Sequence, residues 1–378
     1  MLRSRVLALG LLGLVFLGCS STTGTSQPDA GTPDGAAVDR GAALLDGRLS
    51  DGRGGDALRD GSTGDAAPVK PVTLPEDEAP HKDPVEWWYY TGVLKAESGE
   101  SYGFELVVFQ AFIVGQPAYL SHFAVTDLAK KSFALDTQLS LGPQPPAKAG
   151  FDLTVGGWRV AGHDGKDQLA ASMKGYAIEL NLAAKKPVVL QYGKGWMTVG
   201  STKPFYYYSY TDMAVSGSIT VDGVKKNVTG TTWMDHQWGT MGQDYTGWDW
   251  FSLRLDDQTD VMLFTVRRPG KPGFNGGTVI DAAGKGLELK DTDFSVKSTG
   301  QWVSPHTQGT YPHGWTVTIP SQQLDVTITP LVADQEFHQS IGGTPIYWEG
   351  LCRISGTRAG KPIGGDAYVE LTGYAKKP

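Results

Sequence analysis

From His81 onward, apolar residues recur at every second position in short runs, turn dipeptides separate the runs, and helical periodicity is scarce. Phe251, Leu253 and Leu255 alternate with Ser252, Arg254 and Asp256. Trp315, Val317 and Ile319 alternate with Thr316 and Thr318, and Leu324, Val326 and Ile328 with Asp325, Thr327 and Thr329. Asp222-Gly223, Asp256-Asp257, Gly276-Gly277 and Gly342-Gly343 punctuate the runs. A period of two sends successive side chains to opposite faces of a strand. Without helical crossovers, many such strands cannot form a parallel sheet and read as antiparallel sandwiches or barrels, an all-β fold. In 102–109 the apolar residues crowd both faces, as in a strand buried on two sides. Roughly 300 residues exceed one small core and suit two domains. The polar, Gly-containing stretch 240–245 is the expected boundary, giving domains at 81–245 and 246–378.

The chain before His81 has a different texture. Arg3 and Arg5 precede an apolar run over 6–17, then small Gly18 and Cys19. The run has the length of a signal segment and is too short to span a bilayer. The pattern predicts a lipoprotein signal peptide at 1–18, lipidation at Cys19, export, and anchoring in the cell envelope. Ser20, rather than Asp, after the Cys leans toward the outer membrane of a diderm bacterium. The other reading is an ordinary signal peptide with a chance Cys. Residues 19–80 hold Ser, Thr, Gly, Ala, Pro and Asp and no aromatic residue, which predicts a disordered tether. Its Asp rhythm, from Asp29 to Asp65, lacks the close spacing of a calcium loop. With Cys19 acylated, Cys352 has no intramolecular partner and reads as a buried small hydrophobe. The net charge of −7 is concentrated in the tether. The nearly neutral remainder carries no basic stripe, so nucleic acid is not an expected partner.

Three clusters could carry chemistry. In 81–92, Glu86, Trp88 and Tyr90 share one strand face, and Trp87 and Tyr89 the other. Glu86 beside aromatic surface would be desolvated, raising its pKa and suiting it to give a proton. Alternatively it is salt-bridged, with the aromatics as a barrel plug. His122, among alternating apolar residues in 121–127, reads more readily as a core histidine than as a catalyst. The densest cluster is 232–239 with 247–250, where His236 and Trp238 share a face and Asp235 points to the other, where it would brace the fold. An imidazole beside an indole in a dry pocket can pass a proton, and indole faces stabilise positive charge. Structural plugging by these aromatics is the competing reading.

Other chemistries find no motif. There is no P-loop, dinucleotide Gly fingerprint, HExxH, CxxC pair or Gly-x-Ser-x-Gly elbow. The seven His are scattered in sequence, with no close pair to suggest a metal site.

In this order the stretches HKDPVEWWYYTG (81–92), YGFELVVFQ (102–110), SHFAVTD (121–127), TWMDHQWG (232–239), GWDWFSLRL (247–255), YPHGWTVTIP (311–320), YWEGLCRISG (347–356) and YVELTGY (368–374) resemble the CrtC/AttH-like family, which includes carotenoid 1,2-hydratases. The resemblance covers about 81 to 376. It implies two consecutive lipocalin-like β-barrels and cofactor-free chemistry, in which a buried acid protonates an alkene, aromatic faces support the cation, and water attacks. By position, His236 and Trp238 match the family's hydration motif, with Glu86 as a candidate acid. Trp88, Tyr90, His122, Trp248, Trp250, Trp348 and Glu349 are the expected ligand-binding residues. The hydratases' downstream Tyr and Asp have no counterpart in 262–267, which puts carotenoid hydration in doubt. The reading is a membrane-tethered protein that binds a hydrophobic isoprenoid or lipid, acting as a hydratase or cyclase. The alternative is a non-enzymatic lipid carrier or export accessory protein.

Overall fold

The computed structural model describes residues 69–198, 201–242, 244–339 and 345–376. The signal segment, Cys19 and most of the expected tether lie outside them. Among the described residues regular structure is nearly all strand, with three short 3-10 turns, and no helix is long and apolar enough to cross a membrane.

The first sheet holds β1 (Val85–Ala96), β2 (Ser101–Ile113), β3 (Gln116–Asp127), β4 (Ser132–Leu141), β5 (Phe151–Val155), β6 (Trp158–His163), β7 (Lys166–Met173), β8 (Tyr176–Ala184), the short β9 (Val189–Leu190) and β10 (Trp196–Met197), β11 (Phe205–Val221) and β12 (Val224–Gly239). Its order is β4-β3-β2-β1-β12-β11-β8-β7-β6-β5, with β9 and β10 on β11. The two ends meet through side chains. Ser140 accepts the Gly156 N–H at 3.0 Å, and the Gln144 amide pairs with the Thr154 backbone. The result is a near-closed antiparallel barrel filled by Trp88, Tyr90, Leu106, Val108, Phe123 and their neighbours.

The second sheet begins at Gly247. It holds β13 (Gly247–Leu255), β14 (Asp260–Arg267), β15 (Phe274–Ile280), β16 (Gly286–Lys290), β17 (Ser295–Ser298), β20 (Trp315–Ile319), β21 (Leu324–Pro330), β22 (Glu336–Phe337), β23 (Tyr347–Arg358) and β24 (Lys361–Thr372). The small β18 (Gln301–Val303) and β19 (Thr310–Pro312) pair with each other. The order β16-β15-β14-β13-β24-β23-β21-β20-β17 forms a second near-barrel around Phe251, Leu263, Trp315 and Trp348. Both sheets therefore realise the all-β, lipocalin-like expectation.

A third apolar cluster lies between the barrels. Tyr89, Val107, Tyr207 and Trp233 of the first sheet meet Trp250, Met262, Phe264, Leu351 and Tyr368 of the second. This explains the two-sided apolar pattern of β2, which has one face in its own barrel and the other against its neighbour. Gly103 lies at a close approach in this seam. A Cβ there would collide with the Tyr368 hydroxyl and lie 3.1 Å from Leu351, so only glycine permits this approach.

The composition-based tether ends too late. Residues 71–80 are ordered against the first barrel: Val72 and Leu74 pack on its core, and Asp77 and Glu78 are buried in the turn Glu76–Glu78. The Glu78 carboxylate accepts from the Asp164 N–H at 2.9 Å and the His163 ring at 2.7 Å. Polar anchoring of this kind leaves no trace in an apolar periodicity.

Candidate active site

Strand parity sorts the conspicuous residues into two compartments. In β1 and β12, Glu86 pairs with Trp238, Trp88 with His236 and Tyr89 with Asp235. Glu86, Trp88, Tyr90, His236 and Trp238 point into the first barrel. Trp87, Tyr89, Asp235 and Gln237 point out toward the second.

Inside the first barrel these side chains are mostly buried and bonded to one another. The Glu86 Oε1 accepts from His81 Nδ1 and His236 Nε2, each at 2.8 Å, and Oε2 accepts from the His81 backbone N–H at 2.8 Å and Gln110 Nε2 at 3.0 Å. The His81 ring stacks on Trp238 with centroids 4.2 Å apart, and His236 stacks on Trp88 at 4.7 Å. Tyr90 donates to Asp167 at 2.8 Å. These contacts correct two expectations. Burial pushes the Glu86 carboxyl up, but the hydrogen bonds from the two histidines outweigh it and hold the pKa below its ordinary value. The histidines are scattered in sequence yet not in space, since His81 and His236 share one carboxylate.

Between the barrels lies a cavity of about 470 Å³. Its first-barrel wall carries Trp87, Tyr89, Glu105, Tyr207, Asp235 and Gln237, and its second-barrel wall carries Trp248, Trp250, Phe264, Val266, Tyr347 and Glu370. Of the expected ligand-binding residues, Trp248 and Trp250 are in this lining. Trp88 and Tyr90 fill the first barrel. Trp348 is buried in the second core, with its Nε1–H on the Ala333 carbonyl at 2.9 Å. His122 lies behind the wall, stacked on Phe337 at 4.0 Å and bonded to the Tyr347 hydroxyl at 2.8 Å. Burial lowers its pKa to about 3, so it is neutral. Glu349 sits at the seam, where it accepts from the Tyr89 hydroxyl at 2.8 Å.

The sequence reading missed the carboxyls that do line the cavity. Burial first, then the charge of Glu370, raises Glu105 to about 8 against the opposing hydrogen bond from Tyr347. Burial raises Glu370 to about 7, opposed by the Trp248 indole N–H at 3.0 Å. Glu349 is pushed well up by burial and by the charges of Glu105 and Glu370. Asp235, which the sequence assigned to bracing, is also on the wall. It accepts from Tyr207 at 2.6 Å, Ser209 at 2.5 Å and Trp233 at 2.6 Å. Burial raises its pKa to about 7, against those three donors, which favour the anion. The two first-wall acids thus differ in surroundings. Glu105 receives one donor, Tyr347 at 2.6 Å, and its buried Oε2 has no partner. A neutral Glu105 can donate from Oε2, whereas a solvated-by-donors Asp235 can accept. The missed signal was a lone Glu inside an apolar strand: Phe104-Glu105-Leu106 and Val369-Glu370-Leu371.

A profile of AttH-like proteins matches residues 65–374. The chain belongs to the AttH-like family. Among solved structures, the AttH-like chain is similar to the AttH protein of Nitrosomonas europaea, with 28% identity and a TM-score of 0.73 over 82% of this chain and 98% of that one. It is also similar to kievitone hydratase from Nectria haematococca, with 18% identity and a TM-score of 0.66 over 82% and 94% of the two chains, a likeness of fold. A curated relative, the dehydratase asqC of Emericella nidulans, is 25% identical over 154 residues, 37% of this chain and 41% of the relative. The match thus spans about two fifths of that relative's length.

Proposed function

We propose that this AttH-like protein is a hydro-lyase that adds water to, or removes it from, an apolar, aromatic or isoprenoid-like molecule held between the barrels. The observation that carries the reading is the pair of unlike carboxyls on one aromatic wall: Glu105 with a free buried oxygen, and Asp235 with three donors. In the dehydration direction, Glu105 gives its proton to the departing hydroxyl, the C–O bond breaks and water leaves. Asp235 takes the proton from the adjacent carbon, forming the double bond. Positive charge built up on the way is stabilised by the faces of Trp87, Trp248 and Trp250. Hydration is the reverse. The resemblance to a hydratase and a dehydratase agrees with this chemistry. A cavity of about 470 Å³ suits a drug-sized molecule and favours a compact ligand over a whole carotenoid.

The test uses purified protein in heavy-oxygen water with a panel of prenylated phenols and short acyclic isoprenoids, followed by mass spectrometry. Wild type is expected to yield products carrying the label, and Glu105→Gln none. A Glu105→Gln variant that incorporates label as wild type does refutes the assignment. Binding of panel members without any conversion favours the carrier reading, which the apolar lining also suits.

We further propose that the protein is exported and lipid-anchored through Cys19, which would hold the cavity near a bilayer where such ligands concentrate. Cys19→Ser is expected to shift the protein from the membrane fraction to the soluble envelope fraction. Unchanged fractionation refutes the anchor.

A further inference from the structure

The cluster inside the first barrel is not used by the chemistry above and lies on the opposite face of the same strands. We infer that His81, Glu86 and His236 bind a divalent transition-metal ion of the zinc type.

Three donors converge there. One nitrogen of each imidazole and a carboxylate oxygen of Glu86 lie within 4.8 Å of one another. Glu86 and His236 are fully buried, and the His81 side chain is 18% exposed, which leaves a route in. Two imidazoles and one carboxylate favour zinc, cobalt or iron over calcium or magnesium, and a three-residue set leaves a coordination position for water. Metal–donor distances of about 2.0–2.2 Å require shifts of under about an ångström at the donor atoms.

The surroundings orient these donors as the outer partners of a metal site do. The second nitrogen of His236 faces the Tyr208 hydroxyl at 3.1 Å, and that of His81 faces Asp77 at 3.5 Å. The Glu86 Oε2 is held by Gln110 and the His81 backbone, leaving Oε1 as the shared point. Trp238 and Trp88 fix the two ring planes by stacking. Both His81 nitrogens face carboxylates, Glu86 and Asp77, so the ring is held in place from two sides. The ion would tie the ordered segment before β1 to the barrel end.

The experiment strips the full-length protein with a chelator and titrates it with cobalt(II) and with zinc, reading the cobalt visible spectrum and, by calorimetry, the stoichiometry and affinity. Wild type is expected to bind one equivalent, with the intense visible bands of a low-coordinate site. Glu86→Gln and His81→Ala are each expected to weaken binding tenfold or more. Replacing a second histidine pair, His306 and His338, whose rings stack 3.8 Å apart, by His306→Ala with His338→Ala is expected to change nothing. A wild-type spectrum no stronger than aqueous cobalt overturns the inference without recourse to any variant. Uptake that survives Glu86→Gln, or that is abolished by the His306 and His338 substitutions, also overturns it.

Discussion

Asp235 and His236 are consecutive in the chain, yet their side chains lie in different compartments. Asp235 is on the wall of the inter-barrel cavity, bonded to Tyr207, Ser209 and Trp233. His236 is inside the first barrel, bonded to Glu86 and Tyr208. The separation follows from the alternation of a strand and puts the proposed proton transfer and the proposed metal site on opposite faces of one sheet.

Stability is expected to fall as pH rises from 7 to 9. Glu105 keeps its proton to about pH 8 in the fold, whereas an unfolded Glu releases it near 4.3. The folded state therefore binds more protons in this window, and the slope of stability with pH is negative. The neutral buried His122 and His236 oppose this only below about pH 6.5, where an unfolded His takes a proton. Thermal midpoints across the window measure the slope, and Glu105→Gln is expected to make it shallower, with Glu349, Glu370 and Asp235, also raised by burial, supplying the remainder. A wild-type midpoint that rises toward pH 9 contradicts the assignment.

Tyr347→Phe removes the donor to Glu105 and strands the His122 N–H. An unsatisfied buried group costs about 1–3 kcal/mol, and urea denaturation is expected to show a loss of that size. The Glu105 pKa is expected to rise further, shifting the pH dependence above upward.

Trp348 and Trp250 are expected to separate structure from binding. Trp348→Ala opens a void in the second core and is expected to cost about 3–5 kcal/mol, while quenching of tryptophan fluorescence by a neutral apolar dye such as Nile red persists. Trp250→Phe is expected to reduce that quenching with a smaller loss of stability. Equal loss of quenching in both variants would place the dye elsewhere.

Gly103→Ala drives a methyl group into the Tyr368 hydroxyl. Overpacking of this kind costs about 1–3 kcal/mol, and dye affinity is expected to weaken with it because the clash is at the seam. Adding Tyr368→Phe is expected to restore part of both. Failure of that rescue would locate the strain in Leu351.

The fold was legible because alternation reports one half-buried face at a time, and the runs at Phe251–Leu255 and Trp315–Ile319 name their strands directly. The site was legible only in part. Aromatic density drew attention to His236, Trp238 and Trp88, which is where the barrel interior is crowded. The inter-barrel cavity is made by apposition of two sheets whose contact is set by residues far apart in sequence, such as Tyr89 with Glu349 and Tyr207 with Trp250. No local pattern encodes that pairing. His81 joined Glu86 and His236 for a similar reason: the segment before β1 folds back through polar anchors at Asp77 and Glu78, which composition reads as tether.

The parity of β12 also limits how such a protein can change. One residue inserted just before Asp235 would turn the strand's carboxylate inward and its imidazole and indole outward, exchanging the contents of two chambers without altering a single side chain's chemistry. Chain length at the edge of a ladder is then as potent a source of new activity as substitution, and the irregular register of the neighbouring β11 between Tyr210 and Met213 shows that this sheet already accommodates extra residues.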